Sequence, residues 1–209
     1  MRGLYLVTDR GLCAGRPLEQ VVAEAVRGGV ACVQLREKEL PTRPFLDLAL
    51  ALKALLGPLG VPLIINDRMD IALAAGADGV HVGQEDMPCG QLRRFLGPRA
   101  ILGLSVETWQ DVEQAQDLDV DYLGVSPVFP TPTKTDTKAA WGLEGIARIR
   151  AFSRHPLVAI GGLNPGNAAD AVRAGADGIA VVSAICAGPD PGEAARVLDA
   201  RIQAALRER

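Results

Sequence analysis

Residues 74–84 read AAGADGVHVGQ and residues 173–183 read RAGADGIAVVS. Each leaves a small-residue helix end, passes through Gly-Ala-Asp-Gly, and enters a short apolar strand. The passage recurs more loosely as RGGVACVQLRE at 27–37 and LDVDYLGVSP at 118–127. Four further apolar runs alternate with these: LYLVTDR at 4–10, PLIINDR at 62–68, AILGLSV at 100–106 and PLVAIGG at 156–162. The result is eight strand candidates. Helical periodicity occupies 17–28, 41–57, 68–75, 88–97, 107–117, 142–152, 165–174 and 190–207. The strands are apolar on successive positions, which implies cover on both faces, as a parallel sheet requires. Eight strands alternating with eight helices in 209 residues predict an α/β fold, a (β/α)8 TIM barrel that makes one compact domain over residues 1–209. A doubly wound sheet would carry fewer strands, and no GxGxxG follows the first strand.

Composition narrows the class of function. The chain is 48% hydrophobic and 22% charged with a formal charge of −3, and no basic run suggests a nucleic-acid partner. No apolar stretch approaches the ~20 residues of a membrane span, and MRGLYLVTDR enters a strand pattern at once, so no membrane segment or signal peptide is expected. Cys13, Cys32, Cys89 and Cys186 match no metal or disulfide spacing, which predicts reduced, buried thiols in a cytoplasmic protein. Lysine is scarce beside arginine, with only Lys38, Lys53, Lys134 and Lys138, so each retained lysine invites a chemical reason.

In such a barrel the site is built from loops at the C-terminal ends of the strands. Those ends carry Thr8-Asp9-Arg10, Gln34 to Lys38, Asn66-Asp67-Arg68, Gly83 to Asp86, Ser105-Val106-Glu107, Gly161 to Asn164 and Val182-Ser183. They also include VSPVFPTPTKTDTKAAWGLEG at 125–145, too long a loop to be idle unless it is disordered. The opposite ends (Gly3, Ala31, Pro62, Gly79, Ala100, Pro156) are mostly small or apolar.

AIGGLNPGN predicts a phosphate site: two glycines precede a helix whose first turn suits Pro165, and AVVSAI can add amides and the Ser183 hydroxyl. The alternative is a turn with Asn164 as a plain helix cap. QLREK and the lysine of TPTK form a second cationic pole, since Arg36 and Lys38 alternate on one side of an extended segment. Its alternative is a solvated cluster neutralised by Glu37 and Glu39. Asp67 and Asp86 end adjacent strands beside Asn66 and suit Mg²⁺, a cation that takes few protein oxygens; both could equally be helix caps. His81 reads as a satisfied core residue and His155 lies at the far end, so a histidine-rich metal site is not expected. Trp109 and Trp141 read as packing, with Trp141, at the end of the long loop, alternatively an anchor for that loop as a lid. The residues alone thus point to a magnesium enzyme that joins or splits phosphorylated small molecules.

The blocks LYLVTDR, VQLREK, LIINDR, GADGVHVGQEDMP, GVSPVFPTPTKTDTK, AIGGLNPGN and GADGIAVVSAI, in this order and spacing, resemble the thiamine phosphate synthase family over nearly the whole chain. The resemblance implies a transferase of thiamine biosynthesis. An aminopyrimidine carrying a methyl diphosphate would react with a thiazole ethyl phosphate, giving thiamine monophosphate and diphosphate. By motif match, Gln34, Arg36, Lys38, Asn66, Ser105 and Lys134 would bind the pyrimidine diphosphate. Thr131, Thr133, Gly162, Val182 and Ser183 would bind the thiazole phosphate, and Asp67 and Asp86 would hold Mg²⁺. The related thiazole tautomerases are similar in fold but depend on a histidine in Ser-x-His. In the synthases too the segment often reads Ser-x-His; here it is Ser105-Val106-Glu107, a departure from the family pattern that argues against the tautomerase reading. The partners implied are two phosphorylated small molecules, whether or not the thiazole bears an extra carboxylate.

Overall fold

The computed structural model describes residues 2–131 and 138–209. Eight parallel strands close into a barrel in chain order: β1 Gly3–Val7, β2 Cys32–Leu35, β3 Leu63–Asn66, β4 Gly79–Val82, β5 Ile101–Val106, β6 Tyr122–Val125, β7 Leu157–Ile160 and β8 Gly178–Val181. Closure is by β8 pairing with β1, Leu4 opposite Ile179 and Tyr5 opposite Ala180. Around the strands run α1 Leu18–Arg27, α2 Thr42–Leu56, α3 Met69–Ala75, α4 Cys89–Leu96, α5 Trp109–Ala115, α6 Gly142–Phe152, α7 Ala168–Arg173, α8 Ser183–Cys186 and α9 Pro191–Arg207. No described helix is long and apolar enough to cross a membrane.

Strand alternation sorts the buried side chains into two layers. In β1, Leu4 and Leu6 join the large cluster between sheet and helices, while Tyr5 and Val7 face inward. The inner cluster is completed by Cys32, Ile64, Tyr122, Val158 and Ala180. All four cysteines are buried and none is in a disulfide. Burial pushes the Cys32 thiol up to about 12.

Two local features depart from expectation. The helix predicted from residue 165 begins at Ala168, because Asn164 Oδ1 accepts the Gly166 N–H at 2.8 Å and Asn167 Oδ1 accepts that of Asn164 at 2.8 Å. Those side-chain bonds hold the intervening residues as a turn. The second is α8, a four-residue helix too short to leave a periodic signal.

The recurring Asp-before-strand has a structural task. Asp78 Oδ2 accepts the Leu63 N–H at 2.8 Å, while its own N–H donates to Leu63 O at 2.9 Å. Asp121 does the same with Leu102 (2.7 and 2.8 Å), and Asp177 with Leu157 (2.9 and 2.8 Å). Each carboxylate also meets a cation from the second helix back along the chain: Lys53, Arg93 and Arg150 in turn. So β3–β4, β5–β6 and β7–β8 are stapled at their N-terminal starts, and Lys53 has its reason. Asp177→Ala would strand the N–H of Leu157, a fully buried residue. The expected loss is about 1–3 kcal/mol in denaturant unfolding; an unchanged midpoint and slope would remove the staple from this account.

Candidate active site

At the C-terminal ends of the strands the barrel opens into a cavity of about 690 Å³. Gln34, Arg36, Lys38, Asn66, Asp67, Asp86, Ser105, Thr131, Gly162, Val182 and Ser183 all line it. Thr133 and Lys134 lie outside the described residues.

One wall is ionic. Asp67 adopts a left-handed φ of 60°, with its N–H donated to His81 O at 2.8 Å and the Arg68 N–H to Asn66 O at 2.7 Å. Aspartate tolerates that region better than most residues. The kink turns the chain sharply at the end of β3, and the Asp67 carboxylate meets Lys38 Nζ at 2.5 Å. Asp86 Oδ2 accepts the Gly83 N–H at 2.7 Å. Burial pushes the Asp86 carboxyl above its ordinary value; the Gly83 bond opposes this and the neighbouring Asp67 carboxylate adds to it. Neither aspartate caps a helix: α3 is preceded by Arg68 and α4 by Pro88. Glu37 pairs with Arg10 at 3.1 Å rather than with Arg36. The Arg36 guanidinium makes no ion pair among the described residues, while its backbone N–H donates to Thr8 Oγ1 at 3.1 Å.

The opposite wall is backbone. Gly161 and Gly162 have φ of 98° and 66°, and β-carbons there would stand 2.8 Å from Pro127 Cβ and 2.7 Å from Phe129 Cβ. Glycine is therefore demanded twice at each position, by dihedral and by space. The segment after β6 lies against this turn, with Val128 N–H to Ile160 O at 2.9 Å and Phe129 N–H to Gly161 O at 3.1 Å. Val182 and Ser183 then lead into α8, whose first N–H groups have no intrahelical acceptor.

The floor was not foreseen. Tyr5 and Tyr122 join Oη to Oη at 2.9 Å, Gln34 Nε2 donates to Tyr5 Oη at 2.9 Å, and Tyr122 Oη meets His81 Nδ1 at 2.9 Å. His81 Nε2 meets Ser105 Oγ at 2.8 Å. The His81 and Tyr122 rings stack with centroids 5.4 Å apart. His81 is thus satisfied, as its strand position suggested, but it lines the cavity. Strand register explains how it fits. His81, Gly103 and Tyr122 are partners across β4, β5 and β6, and a β-carbon at Gly103 would lie 2.2 Å from Tyr122 Cζ. One at Gly124 would lie 2.9 Å from His81 Cε1. A glycine flanked by a strand histidine and a strand tyrosine in one register was the available signal, and it needs the pairing to be read. His155, by contrast, bonds Ala115 O at 2.9 Å, and Trp109 packs under Arg148 and against Phe152, all away from the cavity.

Comparison with known proteins extends over most of the chain. The family model described as thiamine monophosphate synthase matches residues 4–185. The thiamine-phosphate synthase of Albidiferax ferrireducens is 62% identical over 92% of this chain and 88% of its own. That of Leptospira biflexa is 54% identical over 93% and 94%. Among solved structures, a thiamine phosphate pyrophosphorylase from Pyrococcus furiosus superposes with a TM-score of 0.89 at 37% identity, covering 98% of this chain and 96% of that one.

Proposed function

The chain belongs to the thiamine monophosphate synthase family, and from that premise we propose that it joins an aminopyrimidine methyl diphosphate to a thiazole ethyl phosphate, forming thiamine monophosphate and diphosphate. The observation that carries this reading is the contrast between the two walls of one cavity. A cation-and-carboxylate wall from β2, β3 and β4 faces a backbone N–H wall from β7 and β8.

At the first wall, Arg36 and Lys38 would take the diphosphate, a fork and a point charge for one polyanion. Gln34, Asn66 and Ser105 would hold the pyrimidine. At the second, the Gly162, Val182 and Ser183 backbone with Thr131 would seat the thiazole phosphate. Lys134 and Thr133 complete the proposed set from outside the described residues.

Mg²⁺ fits the first wall. The Asp86 carboxyl is displaced upward, chiefly by burial and further by the neighbouring Asp67 carboxylate. Among the described residues no group of three or more His, Cys, Asp or Glu could hold a metal ion. Two carboxylates would suit a hard cation whose remaining positions are filled by water and phosphate oxygens. Bound there, Mg²⁺ would supply positive charge against the departing diphosphate.

The chemistry asks for no protein nucleophile or base. The methylene C–O bond breaks with its electron pair leaving on diphosphate, and the electron-rich aminopyrimidine stabilises the methylene cation. The thiazole nitrogen then donates its lone pair to that carbon, and the ring becomes a thiazolium. The protein's part is to neutralise the leaving group, hold the partners in line and keep water off the cation.

The test is a coupled diphosphate assay on the purified chain with both substrates, with Mg²⁺ and with a chelator. Diphosphate should appear in step with thiamine monophosphate, only with both partners, and fall sharply on chelation. Isomerisation of a thiazole with no diphosphate formed would replace the synthase by a tautomerase.

A further inference from the structure

The polar floor has a direction. Gln34 Nε2 donates into Tyr5 Oη, and each later link needs one hydrogen: Tyr5 with Tyr122, Tyr122 with His81, His81 with Ser105. Tyr5 and Tyr122 are only 2% and 1% exposed, and a buried hydroxyl hydrogen needs an acceptor. Were Tyr122 to donate back to Tyr5, that oxygen would accept twice and its own hydrogen would have to leave the chain. With the Gln34 amide placed Nε2 toward Tyr5 Oη, using every hydrogen within the chain requires donation to run from Gln34 to Ser105, with the His81 hydrogen on Nε2; the reverse direction would need that amide turned over and the hydrogen on Nδ1. Two termini are then left for a ligand: Gln34 Oε1 as acceptor and the Ser105 hydroxyl as donor. The room for this chain is carved by Gly103 and Gly124, where any side chain would strike it.

We infer that Tyr5, Tyr122 and His81 are positioning residues that fix the hydrogen-bond polarity of Gln34 and Ser105, and that this polarity selects a 4-aminopyrimidine over its 4-oxo counterpart. The inference rests on the synthase reading above. A 4-aminopyrimidine offers an exocyclic N–H donor beside a ring-nitrogen acceptor. The 4-oxo ring, as its lactam, offers an acceptor beside an N–H donor. To meet the reversed pattern the Gln34 amide would have to turn over and every hydrogen between it and Ser105 would have to shift. A buried network resists piecemeal change, because one reversed link strands a polar group.

Two measurements test this. The chain has two histidines, His81 and His155. His155 Nε2 faces a carbonyl oxygen, which can only accept, so it is an internal standard for the Nε2–H tautomer. Nitrogen-15 NMR of the substrate-free protein should show the same tautomer at His81; a hydrogen on Nδ1 would overturn the direction. The second measurement is kcat/KM by diphosphate release for the aminopyrimidine methyl diphosphate and its 4-oxo analogue. Tyr122→Phe keeps the stacked ring and cuts the chain, and should shrink the amino-to-oxo preference about 10-fold, one net hydrogen bond's worth. Tyr5→Phe carries the same expectation if Tyr122→Phe fails to fold. An unchanged ratio in a folded variant sinks the inference. No diphosphate from wild type with either pyrimidine would instead sink the synthase reading, and the tautomer would still decide the direction.

Discussion

Asp86→Asn should cut turnover on the order of 10²-fold while leaving the metal-free protein as stable as wild type or more so. The two halves have one cause. Burial, with Asp67 adding to it, raises the Asp86 carboxyl above its ordinary value, so the folded state disfavours the charged form relative to the unfolded chain. For a raised carboxyl, the associated stability is fully present below the unfolded pKa. It is lost as pH rises through the folded pKa, so at neutral pH the charge is a penalty. Asparagine removes that charge, and its amide oxygen can still accept from Gly83. It also removes half of the proposed cation site, and losing one preorganised charge-stabilising group costs ~10²–10³ in turnover. Thermal melts without divalent ion and steady-state diphosphate release, side by side, check both halves. Wild-type turnover in the variant would remove Asp86 from the site. A large loss of stability at unchanged m-value would mean that its carboxylate is structural.

Gly103→Ala is expected to be severely destabilising although it adds a single methyl group. The added carbon would sit 2.2 Å from Tyr122 Cζ and 2.4 Å from His81 Nδ1, inside a closed ring of strands. Neither neighbour is the far end of a flexible chain: Tyr122 is 1% exposed and both are tied by hydrogen bonds. Overpacking a core usually costs about 1–3 kcal/mol. Here displacement would also break buried hydrogen bonds worth about 1–3 kcal/mol when a partner is left unsatisfied. A loss above about 3 kcal/mol in urea unfolding, with loss of the His81 tautomer signal, is the expected result. A shift under about 1 kcal/mol would mean that the ring pair can move aside.

The barrel was legible because its signals are local and repeated. Residues 74–84 and 173–183 announce the same strand twice, and the polar strand ends mark the mouth without any knowledge of pairing. What escaped depends on neighbours. Asp78, Asp121 and Asp177 read as punctuation, since an aspartate before a strand looks like turn chemistry until the adjacent strand shows what it binds. The turn from Asn164 to Asn167 passed for a first helical turn because side-chain bonds outcompeted the helix. Tyr5 and Tyr122 sit inside apolar strand runs and drew no separate reading, and they are core by burial. Their hydroxyls acquire meaning only when β1, β2, β4, β5 and β6 are brought round to face one another. In a closed barrel the interior near the mouth is packing and pocket floor at once, and a strand read alone cannot separate the two.

The three aspartate staples lie at the strand starts, on the rim away from the cavity. Holding the cylinder shut is thereby delegated to residues that no substrate meets, and the loops above are released from that duty. Grafting a foreign loop onto the mouth alters recognition without prying the barrel apart. Among the odd-to-even strand pairs the first is the exception: at the seam between the first two strands Ala31 occupies the place that Asp78 holds between the third and fourth. Redesign near that seam has no clasp beneath it.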